Sequence, residues 1–209
     1  MIIISHRGLW KKAEEKNKKQ AFINSFELGF GTETDLRDIK GKIIISHDMP
    51  KGDELSFEEL LQLMDGRNLP LALNIKADGQ IGVILELLTK YNHTNYFTFD
   101  MSIPDLVVQC KAGANVFSGM SDIQPLPIML EHVRGIWLDS FNSDWYQTEL
   151  VDSILTGGKK VCIVSADLHK RNTREQWEKL KTVKQIDSSN LILCTDKPIE
   201  ATEFFYGKD

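Results

Sequence analysis

Short apolar runs recur along this chain, separated by longer segments in which apolar residues return every three or four positions. The runs Ile2–Ser5, Gly31–Leu36, Lys42–Ser46, Pro70–Lys76 and Asn95–Phe99 read as strands, as do Asn115–Ser118, Gly135–Asp139, Lys159–Val164 and Asn190–Thr195. Helices are expected near 18–29, 56–65, 79–91, 102–112, 126–134, 145–156, 173–184 and 198–205. Several carry readable starts. Ser56 with Glu59 three residues on fits a capping box, and so does Thr173 with Gln176. Pro198 suits a first helical position. Strand–helix alternation of this kind implies parallel strands joined by crossover helices. With Lys42–Ser46 taken as a hairpin partner or continuation of its neighbour, eight strand–helix units remain. The first expectation is therefore a (β/α)8 TIM barrel, and a doubly wound open sheet is the second. No linker, low-complexity tract or repeat divides the chain, so residues 1–209 are expected to form a single domain.

Three of the strand runs end in chemistry. Alternation places Ile2, Ile4 and His6 on one face, Glu33 with Asp35, and Ile43 and Ile45 with His47. In a barrel the site lies at the carboxy-terminal ends of the strands, which is where His6, Glu33, Asp35 and His47 fall. Two imidazoles offer an acid and a base near neutral pH. Two carboxylates facing one way in a strand are costly unless paired or bound to a cation, and they suit a hard metal ion. Their competing role is an ion pair with Arg7 or Lys76. Arg7 suits bidentate binding of a phosphate, and Gly8 lets the backbone turn beneath a ligand. Taken together, these residue types describe metal-assisted cleavage of a phosphate ester.

Composition narrows the setting. The chain is 42% hydrophobic and 26% charged, as in ordinary globular proteins. Its net charge of −5 gives no field that would attract nucleic acid or an anionic membrane. The three cysteines, Cys110, Cys162 and Cys194, are an odd number without metal-ligand spacing, and the apolar runs around Cys162 and Cys194 point to buried free thiols. No apolar run approaches a membrane span. Met1 leads straight into a strand rather than a signal peptide, so a cytoplasmic location is expected.

The same residues carry a family resemblance. His6-Arg7-Gly8, Glu33-Thr34-Asp35 and His47-Asp48 resemble the successive motifs of the glycerophosphodiester phosphodiesterases. Asn17 with Ala21-Phe22 is similar to part of a family motif in which Lys16 and Lys18 here replace Glu and Thr. Thr195-Asp196-Lys197-Pro198 resembles the closing motif, and Phe99-Asp100 falls where the family has a Ser-Phe-type strand end. The resemblance implies a TIM-barrel hydrolase using one divalent cation, Mg2+ or Ca2+, on a small-molecule phosphodiester. His6 and His47 would be the acid–base pair, Glu33 and Asp35 metal ligands, and Arg7 and Lys76 phosphate contacts. In the family's usual reaction the neighbouring glycerol hydroxyl displaces the alcohol, and water then opens the cyclic phosphate.

Two departures stand out. Asn74 occupies the place of a third carboxylate, so it is expected to bind the metal through its amide oxygen, and more weakly. The stretch from Asp35 to Asn74 is too short for the subdomain that some family members insert there, so a compact barrel with an open site is expected. Asp139 is a further candidate substrate contact. The loop 165–172, with Asp167, His169, Lys170 and Arg171, reads more readily as a solvated polar loop. His93 and His132 read as surface residues, and Trp10, Trp145 and Trp177 as packing or rim. Two other readings compete. One is a sphingomyelinase-like enzyme, which the cysteine pattern disfavours. The other is a catalytically weak protein that binds a phosphate ligand and has lost part of its metal site.

Overall fold

The computed structural model describes residues 1–207. In chain order the strands are β1 (Ile2–His6), β2 (Gly31–Ile39), β3 (Lys42–Ile45), β4 (Leu71–Ile75) and β5 (Tyr96–Phe99), followed by β6 (Phe117–Met120), β7 (Gly135–Leu138), β8 (Lys160–Val164) and β9 (Leu191–Thr195). The helices are α1 (Lys19–Glu27), α2 (Phe57–Met64), α3 (Ile81–Lys90), α4 (Ile103–Lys111), α5 (Thr148–Thr156), α6 (Arg174–Leu180) and α7 (Pro198–Tyr206). The chain divides into two compact units, Ser5–Val116 and Met1–Ile4 with Phe117–Asp209.

In the Ser5–Val116 unit, β2 pairs in parallel with β4, and β4 with β5. The register sets Asp35 beside Asn74 and Leu36 beside Ile75. β3 folds back antiparallel on β2, with Leu36 opposite Ile45. The Lys42–Ser46 run is therefore a hairpin partner. Residues 31–36 are buried throughout, as expected for a parallel strand covered on both faces. α1 and α2 supply the covering aromatic residues, with Phe22, Phe26 and Phe57 at most 1% exposed. Each such side chain contributes roughly 1.5–3 kcal/mol by leaving water. α2 starts at the capping box read from the sequence. Ser56 Oγ accepts from Glu59 N, while the Glu59 carboxylate accepts from Ser56 N. His93, read as a surface residue, is buried at 5% exposure, its Nε2 3.3 Å from the Asn95 carbonyl oxygen. The position follows a helix end, and the sequence pattern there did not reveal that the chain turns inward.

In the other unit, β6, β7, β8 and β9 pair in parallel in that order. α5, α6 and α7 follow β7, β8 and β9, and Pro198 occupies the first turn of α7 as expected. The helix expected at 126–134 is not formed; residues 128–132 make turns. The leucine spacing that mimics a helix there belongs to exposed Leu126 and Leu130. Met129 has a positive φ of 54°, which an α-helix cannot contain, and Ile128 N is taken by Ser118 Oγ at 2.9 Å. Pro125 and Pro127 remove two further backbone donors. The 165–172 loop holds a short 3-10 turn, Ala166–His169.

Candidate active site

The end of β1 is held by a buried hydroxyl network. Ser5 Oγ lies 2.8 Å from Ser25 Oγ and donates to Thr32 Oγ1 at 2.9 Å, and Thr32 Oγ1 accepts from Gly8 N at 2.9 Å. Arg7 then adopts a φ of 62°, a left-handed conformation that costs a long side chain about 1–2 kcal/mol. Arg7 N donates to the Glu33 carbonyl and Asn17 N donates to the Arg7 carbonyl, which locks this turn. Gly8 follows at φ 84°. A Cβ there would lie 2.7 Å from the Ala21 backbone, so both conformation and space demand glycine.

Asp35 is fully buried and heavily partnered. Arg7 Nε lies 2.8 Å from Oδ2, an ion-pair contact off the N–H direction, and Arg7 Nη2 donates to Oδ1 at 3.4 Å. Lys76 Nζ lies 3.7 Å from Oδ1, and Asn17 Nδ2 donates to Oδ2 at 2.9 Å. The ion-pairing role weighed for this carboxylate is thus present. Asn17 also accepts from Thr34 Oγ1, so it spans successive residues of β2.

Glu33 contrasts with Asp35. It is 1% exposed, and its Oε2 has no hydrogen-bond donor, although His6 Nε2 lies 3.6 Å away. Burial and then the Asp35 charge push its carboxyl well above the usual carboxylate range, against a smaller opposing pull from Arg7 and Lys76. Asn74 is similar: Nδ2 donates to Asp100 Oδ2 at 3.2 Å, which orients the amide and leaves Oδ1 buried without a donor. Asp100 has a φ of 63° at the end of β5.

His47 lies just beyond β3, with its side chain 49% exposed and Nδ1 2.9 Å from Asp48 Oδ1. It lines a cavity of about 600 Å³ together with Arg7, Lys16, Asn17 and Met49. Lys16 Nζ sits 4.3 Å from the Trp10 ring centre, and Trp10 Nε1 donates to the His6 carbonyl. Trp10 is therefore a rim residue that also steadies the end of β1. Sequence reading did not single out Arg37, whose guanidinium donates to the His47 and Lys76 carbonyls. Its place two residues after Asp35 on the Glu33–Asp35 face was the available signal.

Asp139 belongs to the other unit, immediately after β7. Its Oδ1 lies 2.6 Å from His169 Nε2 and accepts from Ser140 N at 2.7 Å. Arg171 pairs with Asp144 and donates to the Ser140 carbonyl. The 165–172 loop is thus tied down by specific bonds, more ordered than a merely solvated loop.

Among the described residues, no group of three or more His, Cys, Asp or Glu side chains is arranged to hold a metal ion. The Glu33–Asp35–Asn74 set counts two carboxylates and one amide, so its third oxygen comes from outside those residue types. Two buried oxygens without donors, Glu33 Oε2 and Asn74 Oδ1, are the atoms a hard cation would satisfy. The residues present therefore fit such an ion.

No family model matches the chain, and no curated protein matches its sequence. Solved structures do. A glycerophosphodiester phosphodiesterase from Agrobacterium tumefaciens superposes with a TM-score of 0.71 at 16% identity, over 98% of this chain and 97% of its own. A phosphodiesterase from Oleispira antarctica, solved with its product sn-glycerol-3-phosphate, gives 0.71 at 16% identity, over 98% and 96%. A glycerophosphoryl diester phosphodiesterase from Parabacteroides distasonis gives 0.66 at 17% identity, over 97% and 85%. The near-complete mutual coverage with the first two means that they share its compactness. A doubly wound sheet is set aside, and the resemblance read from the motifs is borne out in the fold: the chain has the compact (β/α)8 barrel fold of the glycerophosphodiester phosphodiesterases.

Proposed function

We propose that this protein is a phosphodiesterase that hydrolyses a glycerophosphodiester, or a related glycerol-phosphate-linked compound, to glycerol phosphate and an alcohol. The observation that carries the reading is Glu33 Oε2, buried without a donor and 3.6 Å from His6 Nε2. A carboxylate oxygen left unsatisfied beside an imidazole suits a site that awaits an electrophilic ligand. The shared fold and the product-bound Oleispira enzyme support the same substrate class.

In this reading one imidazole of His6 and His47 takes the proton of the attacking glycerol hydroxyl, and the other protonates the departing alkoxide. Water then opens the cyclic phosphate with the two roles exchanged. Arg7 and Lys76, drawn together by Asp35, turn their remaining donors to the phosphoryl oxygens. Glu33, Asp35 and Asn74 would hold Mg2+ or Ca2+, which when bound supplies a Lewis acid for the developing charge.

The test is a panel of glycerophosphocholine, glycerophosphoethanolamine, glycerophosphoinositol and glycerophosphoglycerol, assayed with Mg2+, with Ca2+ and with EDTA. Release of glycerol phosphate that EDTA abolishes and metal restores is the expected result. Turnover unaffected by EDTA removes the metal from the reading. Phosphate-ligand binding without cleavage of any diester favours a catalytically weak binding protein, which Asn74 in place of a third carboxylate would explain.

A further inference from the structure

We infer that Arg37 is a positioning residue, whose guanidinium sets His47 and Lys76 in place by clamping their main-chain carbonyls. The inference rests on the roles proposed above for those two residues. Glu33, Asp35 and Arg37 alternate along one face of β2. Leu36 is the last residue of β2 in register with β4, so Arg37 stands where the chain continues from Ile75 to Lys76. Lys76 N still reaches back to the Leu36 carbonyl at 2.9 Å. On the other side, Ser46 N donates to the Asp35 carbonyl, and the chain then leaves β3 in a turn carrying His47.

The Arg37 side chain spans this gap. Nε and Nη2 both donate to the His47 carbonyl, at 3.1 and 3.0 Å, and Nη1 donates to the Lys76 carbonyl at 3.2 Å. A planar guanidinium offers this fork as one rigid unit, whereas a lysine could not hold both carbonyls in fixed relation. The His47 imidazole has weak anchorage of its own. It is half-exposed, and its partner Asp48 has a side chain that is 92% exposed. Main-chain placement must therefore supply the precision that proton transfer needs, and a displacement of about 1 Å is enough to cost roughly a hundredfold in rate.

Arg67 is a natural control. It donates to the carbonyls of Met64, Phe26 and Leu63 in the same manner, but away from the candidate catalytic groups. A merely structural clamp predicts the same consequences for both arginines, whereas a positioning role separates them. The experiment compares kcat, KM and melting temperature for wild type, Arg37→Met, Arg37→Lys and Arg67→Met on the best substrate of the panel. Amide hydrogen exchange over Ser46–Leu55 is measured on the same four proteins. For Arg37→Met, kcat is expected to fall about tenfold to a hundredfold with KM within about threefold. Arg37→Lys should show a smaller loss of the same kind, and exchange over Ser46–Leu55 should accelerate in both. Arg67→Met should lower the melting temperature while keeping kcat within about twofold.

Equal kcat in Arg37→Met and wild type overturns the inference, as does a loss equal to that of Arg67→Met. If Arg37→Met does not fold, Arg37→Lys decides by the same two readouts. If wild type cleaves no diester, the proposed function falls, and exchange alone decides. Faster exchange over Ser46–Leu55 in the Arg37 variants but not in Arg67→Met upholds the clamp, and unchanged exchange overturns it.

Discussion

Polar groups gather at strand ends in both units, but they are satisfied in different ways. In Met1–Ile4 with Phe117–Asp209, three carboxylates near the strand ends find donors within the unit. Asp139 lies against His169, Asp144 against Arg171, and Asp167 accepts from Thr195 Oγ1 and Asp196 N. In Ser5–Val116, Asp35 is partnered by Arg7, Lys76 and Asn17, while Glu33 Oε2 and Asn74 Oδ1 are buried without donors. Arg7 and Asp100 stand at positive φ beside those oxygens, while Met129 and Lys170, also at positive φ in the other unit, have no unmet oxygen of this kind beside them among the described residues. Buried acceptors are rarely left unmet in a folded protein, so unmet ones beside strained backbone mark the place where a ligand completes the structure. The lesson concerns carboxylate and amide oxygens in particular, because the unpartnered atoms named in the other unit are a hydroxyl, Ser140 Oγ, and a donor, Arg171 Nε.

The contrast can be broken at several points. The largest effect is expected from the imidazoles: His6→Ala and His47→Ala should each lower kcat/KM by at least about a hundredfold. Steady-state kinetics on the best diester checks this, and activity near wild type for either variant removes that histidine from the acid–base pair. Next comes the partnered carboxylate, Asp35. Asp35→Asn leaves Arg7 and Lys76 facing a neutral amide and should cost about 2–3 kcal/mol in urea unfolding, the partial exposure of both cations holding the figure down. Asp167→Asn in the other unit should cost about 1–2 kcal/mol by loss of acceptor strength toward Thr195 and Asp196. It should keep any metal-induced rise in melting temperature, which Asp35→Asn should lose.

Smaller effects sharpen the reading of the unmet oxygens. Asn74→Asp adds a charge where the resemblance expects a carboxylate, and calorimetry should show about tenfold tighter binding of Ca2+ or Mg2+. The smallest effect is a pH dependence. Burial and Asp35 raise the Glu33 carboxyl, so without metal the folded state keeps a proton that the unfolded chain has released. Stability from this group is therefore complete below its unfolded value near about 4.3 and is lost as pH rises through the higher folded value. Melting curves in EDTA between about pH 5 and 8 should fall more steeply for wild type than for Glu33→Gln. Saturating metal should remove most of that difference, and identical slopes would refute the assignment of the shift to Glu33.

Much of this was legible in the sequence where local pattern and tertiary context agree. The apolar run of β1 put His6 at its end, alternation put Glu33 and Asp35 on one face within β2, and Ser56 with Glu59 announced α2. The 126–134 segment misled because the spacing of Leu126 and Leu130 follows a helix, while Met129 and the Ser118 hydroxyl impose a turn. Bonds that depend on register between distant segments were not readable. Nothing in the sequence alone says that Asn17 reaches Asp35, that Asp100 orients Asn74, or that Arg37 holds two carbonyls. The contrast between Glu33 and Asp35 is of this kind too: alternation makes them equivalent, and their neighbours make them different.

The most direct measurement is a crystal structure of the wild-type protein grown with Ca2+ and glycerol 3-phosphate. The expected result is a cation about 2.3–2.6 Å from Glu33 Oε2 and Asn74 Oδ1, with the phosphate beside Arg7 and within reach of His6 and His47. A cation bound elsewhere, with Glu33 Oε2 and Asn74 Oδ1 still unliganded, would contradict the view that these two oxygens mark the ligand site.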